Sequence, residues 1–160
     1  MAPQLIESRL RSSPFIKDAW IMAGPGTAYL SAVIVINYDN VSRWAGQNSV
    51  AFSSFAELSQ APEVYGLVRQ DIDRVNLTVP AGSRVRKYIN LHKEFDPDEG
   101  ELTRTRVLRR TFLEEHYRKL IDAVYSDSAA VAMEAHDGYR DGQTGTIATS
   151  LRIQSVKGAD

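Results

Sequence analysis

A chain of 160 residues, 43% hydrophobic and 24% charged, is long enough to bury one core, and its composition excludes extended disorder and low-complexity repeats. Nineteen basic against twenty acidic residues leave a net charge of −1, so no global field draws the chain to nucleic acid or an anionic membrane. The absence of cysteine excludes a thiol nucleophile, a disulfide framework and a thiolate metal site.

The opening MAPQLIESRL has no basic stretch followed by an apolar one, so no secretory signal is expected and the cytoplasm is the default location. The uninterrupted apolar run Ala32-Val33-Ile34-Val35-Ile36 falls far short of the ~20 residues of a membrane-spanning helix. Without secretion the sequon Asn76-Leu77-Thr78 is idle. Pro3 suits a first helical position, and Leu5, Ile6 and Leu10 mark a short amphipathic helix that Ser12-Ser13-Pro14 stops. A helix that begins so abruptly predicts a domain cut from a longer protein. Two β-rich runs, 19–23 and 29–37, flank Gly24-Pro25-Gly26 and read as strands joined by a turn. The second run lacks polar alternation and reads as a central strand covered on both faces.

Asp39 is expected to cap a helix over 41–47, and Ser54 with Glu57 makes a capping box for another short helix. Pro62 opens a longer helix. In it Val64, Leu67, Val68, Ile72 and Val75 form one stripe, with Arg69, Gln70, Asp73 and Arg74 on the wet side. Residues 85–92 alternate and predict a third strand. Thr111 and Glu114 form a capping box for a helix ending near Tyr125, its stripe set by Leu113, Tyr117, Leu120, Ile121 and Val124. Val131, Met133 and Ala135 then face Ile147, Leu151 and Ile153 across a turn carrying Asp141-Gly142, a β-hairpin. Trp20, Trp44, Phe52, Phe55 and Tyr65 fall within apolar stripes and read as core. The expected fold is α+β: a small central three-stranded sheet flanked by helices, with an extra C-terminal β-hairpin packed on or beside it. The hairpin edge is a candidate homodimer contact.

Chemistry-bearing patterns are sparse. His92, His116 and His136 lie in different elements, and Glu114, Glu115 and His116 are helical neighbours pointing about 100° apart, so no metal site is expected. No G-x-S-x-G elbow is present. Gly24-Pro25-Gly26-Thr27 lacks the Lys-Ser/Thr ending of a phosphate loop and joins strand to strand, so it reads as a tight turn.

The informative stretch is 94–110, EFDPDEGELTRTRVLRR, in which Glu94, Asp96, Asp98, Glu99 and Glu101 precede Arg104, Arg106, Arg109 and Arg110. On one reading, the acidic and basic halves neutralise each other on the surface, where each pair is worth about 0–1 kcal/mol. On the other, arginines at the positive end of a helix are unfavourable by about 0.3–1 kcal/mol unless an anion is held there. Thr103 and Thr105 hydroxyls, arginine forks and helix N–H groups together suit a phosphate or carboxylate.

Three segments add to this: PQLIESRLRSSPFIKDAWIMAG at 3–24, YLSAVIVINYDNVSRWA at 29–45 and GELTRTRVLRRTFLEEHYRKLIDAVY at 100–125. Through the patterns P-x-x-IE-x-x-L-x-x-SP-x-I, ELT-x-T and RR-x-F, residues 2–126 resemble the C-terminal domain of the AMP-forming acyl-CoA synthetases. The similarity is greatest to the bacterial long-chain fatty acid–CoA ligases. It implies a two-domain enzyme in which an N-terminal AMP-binding domain binds ATP, Mg²⁺ and the fatty acid. Residues 1–126 would close over it, with 127–160 as an appended hairpin, and then rotate to admit CoA. The family's hinge and CoA-channel glycine loop would fall upstream of residue 1.

A family lysine contacts the carboxylate and phosphate during adenylation, in the pattern Thr-x-Thr-x-Lys-x-x-Arg. The resemblance makes Thr103, Thr105, Arg106 and Arg110 a nucleotide-facing loop, and it puts Val107 at the lysine position. No catalytic residue is therefore expected in this chain. Adenylation by the parent is expected to be weakened unless Arg106, permanently charged, takes the lysine's place through a twisted backbone. The implied function is the C-terminal domain of an ATP-dependent long-chain fatty acid–CoA ligase, inert alone. The alternative is a free-standing anion-binding or regulatory module that retains the fold. Nucleic acid is a poor partner for one basic loop in a net-acidic chain.

Overall fold

The computed structural model describes residues 2–23, 29–138 and 144–156, with the backbone alone for 135–138 and 144–147. Helix α1 (Pro3–Arg11) leads into β1 (Ile16–Ala23), which pairs antiparallel with β2 (Leu30–Ile36), Trp20 opposite Val33. The expected turn at Gly24-Pro25-Gly26-Thr27 lies outside the described residues. Helices α2 (Tyr38–Gln47), α3 (Phe55–Gln60) and α4 (Pro62–Asn76) form the crossover that a parallel partner requires. Strand β3 (Val85–Asn90) then lies parallel to β2, with Val33 opposite Ile89. The three expected strands share one sheet, β2 at its centre.

Side-chain alternation on β2 builds two cores from one strand. Ala32, Ile34 and Ile36 face a cluster with Ile6 and Leu10 of α1, Val41 of α2, Leu58 of α3 and Val64, Val68 and Ile72 of α4. Val33 and Val35 face a second cluster with Trp20, Ile89, Leu113, Tyr117, Leu120 and Val124. Of the five aromatics expected in the core, Trp20 and Tyr65 are buried, and Trp44, Phe52 and Phe55 pack at its margin. No described helix is long and apolar enough to cross a membrane.

Local chemistry explains most element ends. Ser54 accepts a hydrogen bond from the Glu57 N–H at 3.0 Å, as its spacing predicts. Helix α2 is capped by Asn37, whose Oδ1 accepts the Asn40 N–H at 3.0 Å, and not by Asp39. Strand β2 ends at Ile36, so the first extended residue able to cap is Asn37. Asp39 sits inside the first turn, where its charge suits the helix dipole. Asn76, the sequon residue, is buried and pairs like a strand residue with Val85, donating to its carbonyl at 3.0 Å and accepting its N–H at 2.9 Å.

The helix expected from Thr111 to Tyr125 is interrupted. Helix α5 (Arg110–His116) and helix α6 (Arg118–Tyr125) meet at Tyr117, with φ −106° and ψ 26°. Arg109 stands in the capping position with no side-chain cap, so the Thr111–Glu114 box does not form. The Arg109 N–H is drawn back to the Glu101 carbonyl at 3.0 Å, which starts the first turn ahead of Thr111.

Strands β4 (Ala130–Gly138) and β5 (Thr144–Arg152) form the expected hairpin, with Val131 opposite Leu151 and Ala135 opposite Ile147. Its turn at Asp141-Gly142 lies outside the described residues, as do the side chains of Ala135, His136 and Ile147. Val131, Leu151 and Ile153 complete the second cluster. The chain then adds β6 (Gln154–Ser155) to the free edge of β3, Tyr88 opposite Gln154, and extends the sheet to the order β1-β2-β3-β6. Nothing in the alternation of 85–92 marked that edge for pairing.

Candidate functional site

Residues 100–110 form a small hairpin standing out from the β1 side of the second cluster. Leu102 bridges to Leu108, the Thr103 N–H donates to the Val107 carbonyl at 2.9 Å, and the Arg106 N–H donates to the Thr103 carbonyl at 2.9 Å. Thr103 Oγ1 accepts the Val107 N–H at 3.0 Å and lies 3.1 Å from Thr105 Oγ1. The turn closes because Arg106 adopts φ +64°, a left-handed conformation rare for a side chain of its size. Gly100 enters the hairpin at φ +86°, and a Cβ there would sit 3.1 Å from an Arg109 guanidinium nitrogen. Only glycine fits.

The expected nucleotide-facing residues divide. Thr103, Thr105 and Arg106 are exposed on this hairpin, and so is Arg104. Val107 points its isopropyl group outward at 59% exposure. Arg110 instead turns inward: its guanidinium forks onto both carboxylate oxygens of Glu7, one at 2.9 Å. Glu7 is 1% exposed and also accepts the Ile21 N–H at 2.7 Å, closing a donor on the edge strand β1. Through its hydrogen bond, Glu7 holds the Arg110 guanidinium above its ordinary pKa. The anion that an arginine at this helix terminus calls for is thus supplied by the chain itself.

The two halves of 94–110 do not neutralise each other. Glu94 pairs with Lys17 at 3.1 Å, Lys93 serves Glu99 at 3.4 Å and also Glu101, and Arg106 reaches Asp18 at 3.1 Å. Arg109 donates to the Gly100 carbonyl at 3.1 Å and lies over the Phe112 ring. Among the described residues no arginine of the stretch bonds one of its carboxylates. Burial holds the Asp18 carboxyl above the usual carboxylate value, outweighing the opposing pull of Arg106, Arg11 and Lys17.

Glu99, Glu101 and His116 bring ligand atoms within 4.8 Å of one another. The Lys93 ammonium already stands on both carboxylates, so the countercharge is built in. Beside β1, an open cleft of about 480 Å³ is lined by Lys17, Asn37, Tyr38, Asp39, Phe55 and Glu94, with Tyr38 stacked on Phe55.

Sequence reasoning missed Glu7, Asp18, Lys93 and Glu101 as members of this site. Two of them carried a signal. Glu7 stands in the P-x-x-IE pattern and Glu101 in ELT-x-T, so the motifs that carry the resemblance also carry the loop's anchors.

The architecture is a mixed sheet with helices on both faces and a hairpin loop at 100–110 pinned to β1 and α1. The family model described as the AMP-binding enzyme C-terminal domain matches residues 1–129, and the chain belongs to that family. Long-chain-fatty-acid–CoA ligase FadD15 of Mycobacterium tuberculosis is 29% identical over 127 residues, which are 79% of this chain and 21% of that protein. Long-chain-fatty-acid–CoA ligase 1 of Cavia porcellus is 30% identical over 130 residues, 79% of this chain and 18% of its own length. The chain therefore spans about a fifth of the curated relatives it matches.

Two solved structures share the fold, each over 79% of this chain. The A-PCP didomain of carboxylic acid reductase from Segniliparus rugosus in complex with AMP matches at a TM-score of 0.61 with 15% identity over 16% of its length. The adenylation domain of the carboxylate reductase from Mycobacterium chelonae matches at 0.61 with 22% identity over 18% of its length.

Proposed function

We propose that this chain is the closing domain of a cytoplasmic, ATP-dependent long-chain fatty acid–CoA ligase, and that it is inert without its large AMP-binding domain. The single observation that carries the reading is the exposed turn at 103–107, which bears the family's Thr-x-Thr pattern at Thr103 and Thr105 on a hairpin whose ends, Leu102 and Leu108, are rooted in the second core. The relatives at 29–30% identity are long-chain-fatty-acid–CoA ligases, which supports fatty acid and CoA as the parent's substrates. ATP supplies the adenylyl group when bound. Toward it this chain offers the Thr103 and Thr105 hydroxyls and the exposed guanidinium of Arg104, while Glu99 and Glu101 are held by Lys93 and leave Mg²⁺ to the other domain.

Val107 gives this loop no donor where the resemblance implies a lysine. A preorganised donor of that kind is worth about 10²–10³ in rate, so adenylation by the parent is weakened. Arg106 does not stand in readily. Its backbone has the twist such a replacement needs, at φ +64°, but its guanidinium is held by Asp18, so reaching a nucleotide means breaking an ion pair that orders the loop. The module reading has less to stand on, because Arg110 and Arg106 are both engaged by carboxylates of the chain itself.

In the full-length protein, Val107→Lys is expected to raise fatty-acid-dependent ATP–pyrophosphate exchange by about tenfold or more, and Arg106→Ala to leave it within about twofold of the parent. An unchanged rate in the lysine variant refutes the weakened site. Abolition in the alanine variant would make Arg106 the substitute.

A further inference from the structure

We propose that Glu101 is the positioning residue of the loop, a buried carboxylate that sets the geometry in which residues 103–107 are presented. The proposal rests on the reading above that this loop faces a nucleotide.

Glu101 is 0% exposed. It gathers every strand of chain that enters or leaves the hairpin. One carboxylate oxygen accepts the Asp96 N–H at 2.9 Å and the Lys93 ammonium, and the other accepts the Tyr117 hydroxyl. Its own N–H donates to the Asp96 carbonyl at 3.1 Å, and its carbonyl accepts the Arg109 N–H at 3.0 Å. A single residue thus ties the approach at 93–96, the exit at 109 and the α5–α6 junction at 117.

Burying a carboxylate is costly, and a well-packed apolar group is often as stabilising in such a place. What the charge adds is direction. Three donors converging on the Glu101 carboxylate define one arrangement of the loop base, where an apolar contact would accept several. Burial and the Glu101 charge push the Tyr117 phenol far up, so its hydroxyl remains a donor at any physiological pH. The Arg106–Asp18 and Arg110–Glu7 pairs hold the loop's flanks to β1 and α1, whereas Glu101 sets the turn between them.

Amide hydrogen exchange on the 160-residue chain tests this directly. In Glu101→Gln only one acceptor oxygen remains, so the side chain cannot accept from both Asp96 and Tyr117, and it offers Lys93 no charge. The amides of Thr103, Arg106, Val107 and Arg109 are expected to exchange about tenfold or more faster, the change in local opening that loss of one charge-assisted hydrogen bond produces. The β2 amides of Val33–Ile36 should keep their protection. Equal loop exchange in variant and parent overturns the proposal. Should Glu101→Gln fail to fold, Tyr117→Phe removes one hydroxyl from the same carboxylate and is read identically.

In the full-length protein, the gain from Val107→Lys should be largely lost when Glu101→Gln is added, through kcat with KM for ATP unchanged. A gain that survives the second substitution overturns the positioning role. Absence of fatty-acid-dependent exchange with any long-chain fatty acid, in the parent and in Val107→Lys alike, would instead count against the ligase reading, and the hydrogen-exchange data would still decide Glu101 on their own.

Discussion

Glu7 and Arg110 belong to two sequence motifs that lie 103 residues apart and meet as one ion pair. Each side chain is conspicuous in the sequence, but their pairing is not. No periodicity links a helix at the N-terminus to a loop that follows three strands, and the carboxylates of 94–110 offered nearer partners that the fold does not use. The same limit applies to His92, which read as part of an alternating strand. Its ring is 4% exposed, lies beside the Glu134 backbone, and finds no partner of good hydrogen-bond geometry among the described residues. Burial pushes the imidazole below its ordinary value of 6.5, with Lys93 pulling the same way and the Glu134 backbone and Glu101 opposing. The unfolded chain therefore binds this proton more readily than the folded one. The contribution of neutral His92 is complete above about pH 6.5 and is lost as pH falls from there through the lowered folded value. The urea midpoint of the parent should fall between pH 7.5 and 5, and His92→Leu should flatten that fall. Parallel profiles would show that His92 does not titrate in this window.

Elements whose stripe or cap is self-contained were legible. Helix α3 starts at its Ser54 cap, with the Glu57 side chain turned to the Ser53 hydroxyl, α4 buries all five stripe residues, and β2 is covered on both faces. Elements whose ends are decided by distant contacts were not. The junction at Tyr117 follows from a hydroxyl reaching Glu101, and β6 exists because β3 leaves an edge open. Within α4, Gly66 is an interior helical glycine with nothing within 4 Å of a built Cβ. It borders an open cleft with Trp44, Asn48, Val50 and Leu67. Gly66→Ala should therefore stabilise the chain by about 0.5–1 kcal/mol through the entropy of the unfolded state. Thermal unfolding checks this, and a lower midpoint in the alanine variant would mean that α4 is strained at that position.

The whole molecule is a sheet with a core on each face, and the hairpin helps to build the second. Val131, Leu151 and Ile153 are buried in it and Val156 in the first, and each such side chain is worth about 1.5–3 kcal/mol when fully removed from water. That sum is comparable with the total stability of a domain, about 5–15 kcal/mol. A chain ending at residue 129, where the family match stops, should lose its near-ultraviolet dichroism and its cooperative urea transition. If residues 1–129 instead unfold with the parent's midpoint, the hairpin is an ornament and not a wall of the core.

The Glu7–Arg110 pair also has a consequence for biosynthesis. Ribosomes add about 5–20 residues per second, so Glu7 waits on the order of 5–20 s for a counter-ion 103 residues downstream. Until Arg110 emerges, docking the first helix on the sheet edge would bury the Glu7 carboxylate with the Ile21 N–H but without a countercharge. Docking of the nascent N-terminus is therefore expected to gain its full stability only once the segment that carries the loop is complete.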